Sequence, residues 1–432
     1  MESRPPDTQV AAPPFDQPSA DIIVRSTDRV DFLVHRTILA QASPVFADMF
    51  TLPQQPRGSA DTEPPVVEVS EDKETLRHLL LFCYPVKKPA LTSFEDIVPV
   101  LSAAVKYDMG WLVDLLSAYL KPMMSARPLR VWAIACGARL EELAQEAAEQ
   151  IKANRTVSKR FMQTMCRLVK EEGLDVLNNI SGGEYFRLFE HWRCRGSFTL
   201  YPAVPPAPSS TYPFPVDNCV EFVPADPPPD ILLRCTDNKV VKAHRLILLL
   251  HMAKVTLTGP PCEDPDSLPL SSIDMSSTQL VPLLRVCYRG ELALPSGPEA
   301  IAGMLSDCRR LQMDGMLPML ARRWKETVEA APFEAYFAAA DRFDPCDAAA
   351  AARETIKHKL DGVYTPNMEN ASAAACHHLL EFYRDTYELA LYRDEVSRKK
   401  LEDDVRRITD KLTLKQVWRR PLDEVSGYFG AA

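Results

Sequence analysis

The sequence is poor in the features that build reactive sites. Glycine is scarce, 15 in 432 residues, and neither G-x-G-x-x-G nor G-x-x-x-x-G-K-[ST] occurs, so glycine-rich phosphate cradles have no support. G-x-S-x-G and H-E-x-x-H are also missing. Ser397-x-x-Lys400 matches a nucleophile motif by spacing alone, in a charged stretch without its companion motifs. The eleven cysteines form no C-x-x-C pair and their number is odd; buried thiols in a reducing compartment are expected, not a disulfide framework. A basic excess is lacking too: the formal net charge of −9 argues against nucleic acid as the main partner. No apolar run is long enough to span a bilayer; Leu246 to Leu250 is the nearest and is far too short. The first twenty residues are rich in proline and polar side chains and have no apolar core, so they do not read as a secretory signal. The expected location is the cytoplasm, the nucleus or both, with no membrane partner.

What is present is a globular composition, 46% hydrophobic and 25% charged, in a chain long enough for two or more domains. Self-similarity organises it. Asp21 to Leu39 and Asp230 to Leu248 agree at nine of nineteen positions at a shift of 209, including Asp21, Arg25, Asp28, His35 and Arg36. Leu76 to Tyr84 meets Leu280 to Tyr288 at a shift of 204, and Ser181 with Leu188 to Arg193 meets Ser372 with Leu379 to Arg384 at a shift of 191. The order never changes, which reads as a duplication. Between the copies lie ten prolines in the 33 residues from Ser197 to Pro229, the composition of a stiff linker; Pro202-Ala-Val-Pro205 within it also fits a PxxP ligand.

Within one copy, Asp21 to Arg25 and Val30 to Val34 flank the turn-forming Thr27-Asp28-Arg29 and predict a hairpin. His35 to Ala42 has helical spacing, and Ser43-Pro44 is an N-cap with proline at the first helical position. Val66 to Val69 reads as a strand. Thr75 to Tyr84, Phe94 to Tyr107 and Trp111 to Leu120 read as helices, followed by Leu129 to Ile151, Lys159 to Leu177 and Glu184 to Trp192. In the second copy the late helices are Phe333 to Asp341, Cys346 to Leu360 and Ala373 to Val396. The fold class is α+β and predominantly helical.

The opening Asp21-Ile-Ile-Val, then His35-Arg36-x-Ile-Leu-Ala-x-x-Ser43-x-x-Phe46-x-x-Met-Phe50, resembles a BTB/POZ domain. Leu79-Leu-x-Phe-Cys-Tyr84 and Ala103 to Leu112 resemble its middle and closing helices. The pieces around Leu129 to Ala135 and Ile180 to Leu188 are similar to the many BTB proteins of mushroom-forming fungi. Together with composition, the resemblance implies a disordered segment over 1–17, a BTB/POZ-like domain over 18–124 and a helical extension over 125–196. A proline-rich linker over 197–225, a divergent second domain over 226–328, its extension over 329–395 and a charged helical tail over 396–432 complete the chain. It also implies a charged pair near the family's dimer interface, Asp21 with Arg36 and Asp230 with Arg245. An acid and a base side by side offset each other's desolvation.

The function so implied is a non-catalytic protein–protein interaction scaffold. Its partners are proteins, first of all itself, as a homodimer or as an intramolecular pseudo-dimer of the two halves. Two other readings come with the family, a substrate adaptor of a cullin-type ubiquitin ligase and a transcriptional co-regulator. The cullin-recruiting signature, apolar-x-Glu after Phe50, here reads Leu52-Pro-Gln54, which speaks against that scaffold. The second copy lacks Ser-x-x-Phe, showing Met252-Ala-Lys-Val255 and then Gly259-Pro-Pro261, so its helical hairpin is expected to be altered. The co-regulator reading leans on the ten basic residues between Arg393 and Arg420, interleaved with six acidic ones, a pattern that also suits a solvated helix. His191-x-x-Cys194 and Cys376-His377-His378 contain ligand-type side chains but read as packing residues of apolar helices, so no cofactor and no metal is expected. His35 and His244 recur at matching positions and are expected to tie a strand to the next helix by a hydrogen bond.

Overall fold

A computed structural model describes residues 8–51, 64–153, 161–193, 198–201, 227–252, 254, 268–289, 297–341, 344–356 and 364–390. These fall into two compact units, 8–159 with 171–176, and 160–170 with 177 onward. The division lies inside the stretch that the sequence suggests as the first helical extension. The fold is predominantly helical α+β, as the pattern predicts.

The first unit is built on a four-stranded sheet of order β1-β3-β2-β4, with β1 (Gln9–Val10), β2 (Ile22–Arg25), β3 (Val30–Val34) and β4 (Val66–Glu68). β2 and β3 form the expected antiparallel hairpin, Ile22 opposite Val34 and Arg25 opposite Asp31. Its turn closes through Arg29, whose φ of 60° lies in the left-handed region. The disordered segment expected over 1–17 is corrected for its described part: β1 pairs parallel with β3, and Phe15 is wholly buried. Its ring sits 5.6 Å from Phe32 and 5.3 Å from Tyr84. One buried aromatic outweighs the proline-rich composition around it.

α1 (Arg36–Ala42) and α2 (Pro44–Thr51) form the helical hairpin. Ser43 caps α2 by accepting from the Phe46 N–H at 3.1 Å, while its own hydroxyl donates to the Tyr107 carbonyl at 2.5 Å. Phe46 stacks on Tyr107 with centroids 4.4 Å apart. α3 (Lys73–Cys83) starts on an Asp72 cap and α4 (Phe94–Lys106) on a Ser93 cap; α5 (Gly110–Leu120) follows. The single helix expected from Leu129 to Ile151 is two, α6 (Pro128–Gly137) and α7 (Glu141–Ala153). Arg139 takes a left-handed φ of 59° and the Leu140 N–H donates to the Ala135 carbonyl at 2.8 Å, closing α6. The reversal lets the apolar face of α7, Leu143, Ala147 and Ile151, fold into the core instead of running on into water.

The second unit contains α8 (Phe161–Glu172) up to Lys170, and α9 (Gly182–Arg193). A three-stranded sheet follows, of order β6-β5-β7, from β5 (Ile231–Arg234), β6 (Val240–Ala243) and β7 (Leu270–Ser272). Its helices are α10 (Arg245–His251), α11 (Ser277–Arg289), α12 (Pro298–Leu311), α13 (Leu317–Ala330), α14 (Pro332–Ala339), α15 (Pro345–Thr355), α16 (Asn367–Asn370) and α17 (Ala373–Ala390). β5 pairs antiparallel with β6 and parallel with β7, as β2 does with β3 and β4. Even the left-handed residues recur. Asn238 (φ 60°) stands where Arg29 stands, and Gln312 (φ 54°) where Asp108 (φ 51°) stands.

Between α10 and β7 no second helix occurs among the described residues; residues 253 and 255–267 lie outside them. Within the linker expected from 197, residues 198–201 are described. Phe198 and Leu200 are buried, and the Leu200 carbonyl accepts from Arg187 at 2.7 Å. The rest of that linker, including Pro202 and Pro205, and the tail over 396–432 lie outside the described residues, as do Leu52, Pro53 and Gln54.

Candidate protein-interaction site

In each predicted acid–base pair the contact is a main-chain hydrogen bond and not an ion pair between the two side chains. The Arg36 N–H, first in α1, donates to Asp21 Oδ1 at 2.8 Å, and the Arg245 N–H, first in α10, donates to Asp230 Oδ1 at 2.7 Å. Each aspartate thus satisfies an otherwise orphan amide at a helix start, where a negative charge is favoured. The Arg36 guanidinium lies over the Phe50 ring, 5.8 Å from its centre. Asp21, Asp230 and Arg245 are exposed and Arg36 is half-buried.

His35 and His244 do the same work in both copies. The His35 N–H donates to the Tyr84 hydroxyl oxygen at 2.8 Å, and the His244 N–H to the Tyr288 hydroxyl oxygen at 2.7 Å. The ring Nδ1 atoms lie 3.2 and 2.9 Å from the same oxygens. Strand end, helix start and a later helix are joined at one phenol. Burial raises both tyrosines, partly offset by the histidine N–H.

Around this shared frame the copies differ in what they show to water. On α10, Leu248 is buried, while Leu246, Leu249 and Leu250 are 66%, 58% and 68% exposed. The spacing i, i+3, i+4 puts all three on one side of the helix. Their counterparts on α1, at the shift of 209, are Thr37, Ala40 and Gln41. The first copy wets this face, and the second greases it. Sequence reasoning noted Leu246 to Leu250 only as a run too short for a membrane. The signal that finds the site is the difference between the copies.

A second contact lies inside the second unit and is already made. Ser181 and Ser372, which correspond in the repeat, form an antiparallel bridge. The Gly182 N–H donates to the Ala371 carbonyl at 2.7 Å, and the Ala373 N–H to the Ile180 carbonyl at 2.8 Å. These two reciprocal bonds are the ordinary pattern of an antiparallel pair. Behind the bridge Arg187 pairs with the Glu369 carboxylate, which also accepts from the Tyr364 hydroxyl at 3.0 Å. Gly183 keeps this arrangement possible, since a Cβ there would stand 2.1 Å from Glu369 Oε1. Gly182 lies against backbone, the Met368 carbonyl 3.0 Å from where its Cβ would be.

Cys136, Cys235, Cys308 and Cys376 are buried, and burial pushes Cys83, Cys308 and Cys376 up to about 12. Among the described residues, the side chains able to hold a metal ion are Cys166, His377 and Glu381. Of the two predicted ligand-type motifs, His191 is buried in α9 and Cys194 lies outside the described residues. No described helix is long and apolar enough to cross a membrane.

No curated protein matches the chain. The family model of the BTB/POZ domain, a protein–protein interaction module, does, over residues 15–123 and again over residues 226–326.

Proposed function

We infer that this chain is a non-catalytic protein–protein interaction scaffold that acts by self-association or heterotypic pairing, with the α10 face of its second BTB/POZ segment as the contact. The observation that carries this reading is the exposed stripe of Leu246, Leu249 and Leu250. Three adjoining leucines in water mark a partner surface, because burying apolar area is the main drive for association. The two segments derive from a duplication, and their divergence at Thr37/Leu246, Ala40/Leu249 and Gln41/Leu250 separates a framework copy from a binding copy. Asp21 with Arg36 and Asp230 with Arg245 lie beside these helix faces and supply their polar rim. The cullin-adaptor and co-regulator readings depend on residues 52–54 and 393–420, outside the described residues.

Sedimentation velocity of the full chain over a concentration series tests the reading. The wild type is expected to associate with rising concentration. The L246S/L249S/L250S variant is expected to stay a monomer throughout. Equal association of the two would remove the α10 face from the account.

A further inference from the structure

Outside the contact face, the second unit holds a set of side chains suited to a metal ion. Cys166 on α8 and His377 and Glu381 on α17 bring a thiol sulfur, an imidazole nitrogen and a carboxylate oxygen all within 4.8 Å of one another. His377 and Glu381 are one helical turn apart, with Nε2 and Oε1 separated by 4.0 Å. The other ring nitrogen, Nδ1, is 2.9 Å from the Tyr185 hydroxyl of α9. That division of labour, one ring nitrogen towards the cluster and the other hydrogen-bonded behind it, is how metal-binding histidines are oriented. The second carboxylate oxygen of Glu381 lies 3.4 Å from His378 Nδ1, which steadies it in the same way. His377 is 2% exposed and Tyr185 is fully buried, while Cys166 and Glu381 are half-buried, so the site has a buried back and an open side.

We propose that Cys166, His377 and Glu381 bind one zinc-class divalent ion, with water in the fourth position. The donor set selects the ion. A thiolate with an imidazole suits borderline-soft Zn²⁺, whereas Mg²⁺ and Ca²⁺ demand all-oxygen shells. Tetrahedral Zn²⁺ holds its ligand atoms about 3.3–3.7 Å apart, so the three groups close by roughly one ångström through side-chain rotation. Binding converts the Cys166 thiol to thiolate and releases one proton to solvent. The ion fastens α8 to α17. This site is independent of the α10 face and stands whether or not that face binds a partner.

The test uses the full chain, stripped with a chelator and titrated with Zn²⁺ by calorimetry and with Co²⁺ by absorption. Expected are one ion per chain, a thiolate-to-cobalt charge-transfer band and a higher unfolding temperature with Zn²⁺. C166S and E381Q should each weaken binding by about 100-fold or more, since losing a ligand costs at least as much as losing its supporting partner. Absence of binding, or binding undiminished in both variants, would overturn the proposal. If either variant does not fold, alkylation mapping of the wild type decides. Zn²⁺ should protect Cys166 while leaving exposed Cys346 reactive, and unprotected Cys166 refutes the site.

Discussion

Replacing Arg187 by methionine isolates what holds α9 against α16 and α17. The Arg187 and Glu369 side chains are only 12% and 15% exposed, and removing one member of such a pair costs about 3–5 kcal/mol because the other is left buried and charged. Glu369 keeps the Tyr364 hydroxyl at 3.0 Å and Ser181 Oγ at 3.5 Å, which lowers the expected loss to about 2–4 kcal/mol. That loss appears locally, as easier opening of the bridge between Ser181 and Ser372. Hydrogen–deuterium exchange at the Gly182 and Ala373 amides reads it directly, since both are bonded across the bridge. At 1.4 kcal/mol per factor of ten, exchange there should speed up about 30- to 700-fold. The double variant R187M/E369L should recover part of the protection, because an apolar pair avoids the uncompensated charge while the Leu200 carbonyl and Tyr364 hydroxyl still lose their partners. Exchange in R187M within about threefold of wild type would show that the pair contributes nothing to the seam, and the reasoning would fail.

Three further outcomes follow from the same geometry. Tyr84→Phe and Tyr288→Phe each remove the acceptor of a histidine N–H and should destabilise their own unit by about 1–3 kcal/mol, measured by calorimetric unfolding of the full chain. Brief iodoacetamide treatment followed by peptide mapping should label Cys346 first and Cys308 and Cys376 last, since the first is exposed and burial pushes the other two up to about 12. Asp237 is held below the usual carboxylate range, chiefly by the Ser277 hydroxyl at 2.5 Å and also by the Ser277 N–H at 3.2 Å. Its folded value is the lower one, so its stabilisation is complete above the unfolded carboxylate range and is lost as pH falls through the folded value. Asp237→Asn should therefore flatten the acid limb of unfolding midpoints taken between about pH 5 and pH 2.

The parts of this fold that are legible in the sequence are those encoded locally. Alternating β-branched residues mark the β2–β3 hairpin, and Ser43-Pro44 marks the start of α2. The repetition of His35 as His244 foretells one shared joint in each copy, while its tyrosine acceptor emerges only from the fold. What stayed hidden depends on distant partners or on unusual backbone. Arg139 gives no warning of a left-handed turn, because that conformation usually selects glycine or asparagine. Phe15 becomes an ordered residue only through Phe32 and Tyr84. Ser181 and Ser372 are visible as equivalents in sequence, yet nothing local states that they touch. Cys166 lies far along the chain from His377 and Glu381, so no spacing rule unites them. The leucine stripe was in plain sight as letters, and only the buried Leu248 between its members shows which side faces outward.

Site-specific photocross-linking tests the claim that α10 is a contact face most directly. A benzophenone side chain replaces Leu249 in one full-length protein and Ala40, its counterpart on α1, in another. From position 249 the account predicts efficient adducts to a second polypeptide, suppressed by L246S and L250S on the same chain, and few from position 40. Equal yields at the two positions, or adducts from 249 only to its own chain, would contradict it.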